Sequence, residues 1–346
     1  MQVNSRQLKQ FLTKQVVNQN KDAIMISGAP GCAKSTIVAQ VAKENDLEFI
    51  DLRVSQIAPT DLRGIPAVDV DNNVFKYLPP NFLPKPNRPK GILFLDELTQ
   101  AVPAVQAIAQ QLVLDRKVGD YSIPSGWFIW AAGNRTGDRS ASFGMIKSLG
   151  NRFLHLEMQP ELQVWLQDFA IENLTAEISA FVKFRPELLH KVLDDSDAWP
   201  SPRSWEMADR LHRAGCSIAP AVGVATAAEF DAFITEYKHV PDLEAIFNGK
   251  GKTIEFPQFK GESIKYATTI GLLKLAIQSK GPEIVNSLLW LYEKGPMEYA
   301  AMYSAELSEM QHGRPDWTGY RYYLGQLNKN KQLIELNDRM YKSVYH

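Results

Sequence analysis

Gly28-Ala29-Pro30-Gly31-Cys32-Ala33-Lys34-Ser35-Thr36 follows directly on the apolar run Ala23-Ile24-Met25-Ile26-Ser27. The run reads as a short buried strand. Behind the stretch, Ile37, Val38, Val41 and Ala42 are spaced as the inner face of a helix. A glycine-containing turn between strand and helix, closed by Lys-Ser, fits the phosphate-loop template G-x-x-x-x-G-K-[ST]. In that template the loop's backbone N–H groups and the helix N-terminus point at phosphate oxygens. Lys34 is expected to reach the β- and γ-phosphates of a nucleotide, and Ser35 to ligate Mg²⁺. One position departs: Ala33 stands where the template has its second glycine. Helical φ/ψ at that residue would tolerate alanine. Cys32 reads as a small residue facing solvent or the sheet.

Outward from this loop the same alternation continues. Residues 47–52 read as a second strand. Ile92-Leu93-Phe94-Leu95-Asp96 is a third, apolar until its last residue, and 127–132 and 153–158 are a fourth and a fifth. Residues 5–17 read as a helix with Leu8, Phe11, Leu12 and Val16 on one face. Another begins near Pro103, with Val105, Ile108 and Leu112 aligned. Strands alternating with helices predict an α/β fold, a parallel sheet covered on both faces. Two segments interrupt the alternation, 65–77 around Asp71-Asn72-Asn73 and 117–123, and both read as β-hairpins. After residue 160 the pattern turns helical, through Trp165, Leu166 and Phe169, then Ile178, Phe181 and Val182. Ser201-Pro202 reads as a helix start, and Asn248-Gly249-Lys250-Gly251-Lys252 as a linker.

Composition narrows the class. The chain has 346 residues, with 38 Lys and Arg against 39 Asp and Glu, a formal charge of −1. That balance gives no whole-molecule attraction for nucleic acid or anionic lipid. No apolar run approaches a membrane-spanning length, and the first residues carry no signal-peptide core. Two cysteines exclude a disulfide scaffold or a cysteine-rich zinc site, so the reduced cytoplasm is the expected compartment. The six histidines show no metal-ligand spacing.

The candidate chemistry gathers at strand ends. Asp96-Glu97 closes the third strand, which delivers both carboxylates to the edge of the sheet where ligands bind. Asp96 suits the Mg²⁺ shell, and Glu97 suits polarisation of an attacking water. Asn134, after the fourth strand, suits holding that water, although asparagine also serves as an ordinary turn residue. Arg203 emerges at the start of a helix capped by Ser201 and Pro202, where a cation and a helix end together favour an anion. Arg152, before the fifth strand, is a candidate cation for a neighbouring site, with Arg135 and Arg139 as alternatives. Lys76, Tyr77, Arg116 and Tyr121 stand on the hairpins and are candidate partner contacts. The dense aromatics after residue 289 read as helical core.

Phosphate loop, Asp-Glu strand, polar strand end, Asn151-Arg152-Phe153 and Ser201-Pro202-Arg203-Ser204-Trp205 occur in that order. So ordered, the chain is similar to AAA+ ATPases of the MoxR and dynein-related type, the helix-2-insert clade. Within it, Asp61-Leu62-Arg63-Gly64-Ile65-Pro66 and Gly133-Asn134-Arg135 with Asp138-Arg139 resemble a bacterial and phage group. The resemblance spans roughly residues 22–240. It implies a P-loop AAA+ core over 1–160, a helical lid over 161–245 and a helical C-terminal extension over 246–346. It implies that Gly28, Ala29, Pro30, Gly31, Cys32, Ala33, Lys34, Ser35 and Thr36 bind ATP, and that Ser35 and Asp96 hold Mg²⁺. Asn134 falls on the family's sensor 1 position, Arg203 on sensor 2 and Arg152 on the arginine finger. It further implies a ring, commonly a hexamer, with a von Willebrand factor A-type partner, and hydrolysis of ATP to remodel or activate that partner.

Two rival readings remain open at the level of sequence. Asn134…Asp138-Arg139-Ser140 is similar to the signature of McrB-type nucleic-acid restriction motors, with one residue more between Asn and Asp. Ala33 in the loop leaves room for a module that binds nucleotide for assembly with little turnover.

Overall fold

The apolar segments pair side by side as parallel strands. In the computed structural model the first unit contains β1 (Gln2–Val3), β2 (Ile24–Gly28), β3 (Glu48–Arg53), β4 (Ile65–Asp69), β5 (Val74–Leu78), β6 (Lys90–Asp96), β7 (Lys117–Val118), β8 (Tyr121–Ser122), β9 (Gly126–Gly133) and β10 (Leu154–Met158). Its helices are α1 (Ser5–Val17), α2 (Lys34–Glu44), α3 (Pro59–Arg63), α4 (Pro103–Asp115) and α5 (Lys147–Gly150). The structure describes residues 1–135, 143–193, 196–258, 261–279, 281, 283–311, 314, 316–327, 329 and 333–334. Asp138, Arg139 and Ser140, quoted above for their motif, lie outside them.

Six strands form one sheet in the order β1-β10-β2-β9-β6-β3, parallel throughout. Both faces are covered. On one face Ile24, Ile26, Ile92, Phe94, Phe128 and Trp130 pack with Leu8 and Leu12 of α1 and Val38 and Val41 of α2. On the other, Met25, Leu93, Leu95, Ile129 and Ala131 pack with Val105, Ala109 and Leu112 of α4. Burial on both faces is why β6 and β9 read as continuous apolar runs rather than alternating ones. The helix starts are set locally. Asn4 and Gln7 form a reciprocal capping box on α1, and Pro103 opens α4.

Both predicted hairpins are present, β4 paired with β5 and β7 with β8. Their candidate contact residues are largely engaged within the unit. Arg116 donates to the carbonyls of Pro124 and Trp127, at 3.2 and 2.6 Å. Tyr121 donates its hydroxyl hydrogen to the Pro84 carbonyl and packs against the core. Lys76 pairs with Asp69 at 2.7 Å, and Tyr77 is half-buried, edge-on to Phe75. The exposed side chains of β4–β5 are aliphatic and aromatic instead, Val68 and Phe75 among them.

The chain divides into two compact units, Met1–Glu161 and Leu162–His346. The second unit is helical. Its longer helices are Ala176–Phe184, Pro202–Arg213, Val224–Tyr237, Glu262–Gln278, Glu283–Lys294, Met297–Gln311 and Thr318–Leu327. One cluster of buried apolar side chains runs through it from Trp165 to Leu333, on both sides of residue 245. The 248–252 stretch, read as a linker, is packed into this unit. The Trp290 indole donates to the carbonyls of Gly251 and Ile254, at 3.1 and 3.0 Å. Polar, glycine-rich composition marked a tight turn here, not a hinge between domains. Trp290, Tyr299, Tyr303, Trp317, Tyr320 and Tyr323 are buried as the helical-core reading expects. Among the described residues no helix is long and apolar enough to cross a membrane.

Candidate nucleotide site

β2 lies between β10 and β9, parallel to both, so the chain leaving it emerges at the C-terminal edge of the sheet. Ligands of open α/β sheets bind at that place. Gly28 ends β2, and a Cβ there would stand 2.7 Å from the Met158 carbonyl oxygen, so only glycine lets the loop begin this close to β10. Ala29 and Cys32 are buried, Cys32 within the α1/α2 face of the sheet, while Pro30 and Gly31 lie at the surface of the turn. Ser35 and Thr36 stand in the first turn of α2, whose leading N–H groups lack helical partners and suit phosphate oxygens.

Ala33 overturns one expectation. Its φ is +65° and ψ +29°, left-handed rather than helical, so the loop demands at residue 33 the conformation that glycine adopts most easily. The template's glycine has a backbone reason, and alanine here carries strain.

Lys34 folds its ammonium along the loop. Nζ donates to the carbonyls of Gly28 at 2.8 Å and Ala29 at 3.0 Å, and to Asn134 Oδ1 at 3.4 Å. Asn134 comes directly after β9, so the structure brings the loop lysine and the strand-end amide together. β6, the neighbour of β9, ends with Asp96. Its carboxyl is pushed above the usual carboxylate range by burial, against the Glu97 N–H at 2.8 Å and the Lys34 charge. Asp51, on the adjoining β3, is also raised, by burial and then by the Asp96 charge. A half-buried carboxyl held this way is an unfavourable anion that a cation would relieve. The oxygen donors of Asp96 and Ser35 suit a hard, small cation such as Mg²⁺.

Glu97 follows with φ +59°, a second left-handed non-glycine residue at this edge. Its Oε2 accepts a hydrogen bond from the Ser55 hydroxyl, just beyond the end of β3. Ser55 was missed in the sequence. Its signal is positional, a hydroxyl at the C-terminal edge of the strand beside β6, and nothing in its neighbours' spacing marks it.

The three arginines separate. Arg152 precedes β10, whose Leu154 pairs with Ile24 and whose Met158 pairs with Gly28. It therefore sits at the end of the sheet opposite the loop, beyond the four strand steps from Leu154 to Met158, which alone span about 13 Å. One guanidinium nitrogen donates to the Ser148 carbonyl, and Nε is buried with no partner among the described residues. Arg135 pairs with Glu157 of β10 at 3.2 Å. Arg203 lies in the second unit. Ser201 caps its helix reciprocally with Ser204, and the Trp205 indole donates to the Leu188 carbonyl at 2.8 Å. The Ser-Pro-Arg-Ser-Trp run thus fixes a helix start with buried neighbours and leaves Arg203 exposed.

Residues 24–138 match the model of the ATPase family associated with various cellular activities (AAA). No curated protein matches the chain in sequence. Among solved structures, a RuvB mutant of Thermotoga maritima is 12% identical, with a TM-score of 0.39 over 81% of this chain and 89% of that one. NtrX of Brucella abortus in complex with ADP is 15% identical, with a TM-score of 0.39 over 88% of this chain and 68% of that one. The parallel sheet, its loop and the family match over 24–138 make the first unit a P-loop AAA+ core carrying an AAA ATPase domain, followed in the chain by helices.

Proposed function

We propose that the chain hydrolyses ATP to ADP and phosphate with Mg²⁺, in an oligomeric ring, and uses the cycle to remodel or activate a protein partner. The observation that carries the enzymatic part is the meeting of Lys34 Nζ with Asn134 Oδ1, at 3.4 Å, beside Asp96 at the end of the strand next to β9. The loop from Gly28 to Thr36 would wrap the phosphates. Ser35 and Asp96 would hold Mg²⁺, which when bound neutralises charge on the phosphate oxygens. Glu97 takes the proton of the attacking water, and Asn134 orients that water by hydrogen bond. Arg203 falls on the sensor 2 position that the resemblance implies, and Arg152 serves a neighbouring subunit.

The ring is supported by the position of Arg152, at the far end of its own sheet from its own loop. The MoxR-type clade, the hexamer, the von Willebrand factor A-type partner and work in the cytoplasm of a bacterium or phage host rest on the resemblance of ordered motifs. The test is turnover. Glu97→Gln keeps shape and loses the base, so ATP binding should persist while hydrolysis falls by on the order of 10²-fold or more. Undiminished hydrolysis in that variant would remove Glu97 from the reaction.

A further inference from the structure

Thr99 ties the Glu97 turn to the end of β9. It lies two residues past Glu97, in the turn Leu98–Gln100, and is buried. Its hydroxyl donates to the Asn134 carbonyl oxygen at 3.3 Å. Its own carbonyl accepts the Phe143 N–H at 3.1 Å. A Cβ on Gly133 would stand 2.5 Å from Thr99 Oγ1 and 2.8 Å from its Cγ2, so glycine at the end of β9 is what lets the threonine lie so close. The Asn134 side chain accepts from Lys34.

We propose that Thr99 is a positioning residue for hydrolysis, its hydroxyl setting the separation between the Glu97 carboxylate and the Asn134 amide. The proposal rests on the reading of those two residues as the groups that share the attacking water. Water held between two groups reacts only while both stay within hydrogen-bond range, and a displacement of about 1 Å costs up to roughly 10²-fold in rate. Glu97 and Asn134 both lie past the last ladder pair of β6 and β9, Leu95 with Ala131, so the ladder itself does not reach them. Thr99 bridges them, covalently close to one and hydrogen-bonded to the backbone of the other. Its bond to a carbonyl oxygen fixes where residue 134 sits without engaging the side-chain amide. Packing alone would be served as well by valine, which has the same shape without the hydroxyl.

The test is steady-state ATPase of the full chain, with affinity for a fluorescent ATP analogue and melting temperature measured alongside. Thr99→Val should lower kcat on the order of tenfold while KM and affinity stay within about twofold. Thr99→Ser should restore most of the loss. In the Asn134→Ala background, Thr99→Val should add less than about twofold, because the group it positions is already gone. Parental kcat in Thr99→Val, a loss that Thr99→Ser does not repair, or full additivity with Asn134→Ala each overturns the proposal. Should Thr99→Val fail to fold, Thr99→Cys, a weak donor of similar size, carries the same expectation. Normal loss in Glu97→Gln with none in Thr99→Val overturns Thr99 alone. Undiminished turnover in Glu97→Gln overturns the reading of the site and Thr99 with it.

Discussion

Ser55 holds the carboxylate of Glu97 by a hydrogen bond from its hydroxyl to Oε2, joining the chain after β3 to the chain after β6. Glu97 itself sits at φ +59°, so its side chain is aimed by a strained backbone and by this one hydroxyl. Ser55→Ala should leave nucleotide affinity unchanged and lower kcat on the order of tenfold, because Glu97, the proposed base, loses its orientation. Ser55→Thr keeps the hydroxyl and should keep most of the rate. Equal kcat in the alanine variant and the parent would remove Ser55 from the site.

Ala33 gives a prediction of opposite sign. A non-glycine residue in the left-handed region costs about 1–2 kcal/mol, and glycine's extra freedom in the unfolded chain returns part of that. Ala33→Gly should therefore leave stability unchanged or raise it by up to about 1 kcal/mol, and bind nucleotide at least as tightly. Urea midpoints with unchanged slope, together with nucleotide titrations, check both halves. A variant less stable by more than that amount would mean that the Ala33 methyl makes a contact outweighing the strain.

The fold was legible because its signals are local and repeated. β2, β6 and β9 are apolar runs of strand length, β10 alternates as Leu154-His155-Leu156-Glu157-Met158, and the helices between them carry a one-sided face, so an α/β sheet follows from period and length alone. The places of the phosphate loop, Asp96, Glu97 and Asn134 at strand ends were legible because the strands before them are apolar up to those residues. Ser55 and Thr99 were not, since a hydroxyl has no sequence period and its value lies in a partner far along the chain. The left-handed backbone at Ala33 was hidden because alanine is the residue that least advertises its conformation. The 248–252 stretch misled because a buried glycine turn and an exposed linker share one composition, and only the Trp290 indole over Gly251 tells them apart.

Lys21 sets a pH dependence. Its ammonium lies over the Phe128 ring, 3.3 Å from the centroid, and donates to the Gly126 carbonyl at 3.1 Å. Burial, and then the Arg116 charge, lower its pKa from 10.5 to about 8. The unfolded chain keeps the proton up to the higher value, so between the two it binds more protons than the folded chain. Stability from this group therefore rises with pH across that window. Lys21→Met removes the slope. The melting temperature of the parent minus that of Lys21→Met should climb from pH 8 to pH 10.5, whatever the offset from lost packing. A flat or falling difference would show that ring and carbonyl hold the charged form better than burial opposes it.

Arg152 is expected to act on a neighbour's nucleotide. The β10 register places it at the N-terminal end of that strand, while the loop follows the C-terminal end of β2, its direct neighbour. The four strand steps from Leu154 to Met158, about 13 Å, lie between it and its own phosphates. Lys34 and Asn134 already crowd the loop edge, and Arg135 is drawn aside by Glu157. An arginine at a transferring phosphoryl group contributes on the order of 10³-fold or more, because charge spreads over the equatorial oxygens. Arg152→Ala should then bind ATP like the parent and hydrolyse it poorly. Lys34→Ala subunits, which keep Arg152 but lack the loop cation, should be inactive alone. Mixing the two inactive variants creates interfaces that join an intact loop to an intact arginine, so turnover should partly return. Sizing of each variant and of the mixture comes first, because recovery requires assembly. Verified mixed rings with no recovered turnover would place Arg152 outside the reaction. Its bond to the Ser148 carbonyl would then mark it as a brace for the turn between α5 and β10.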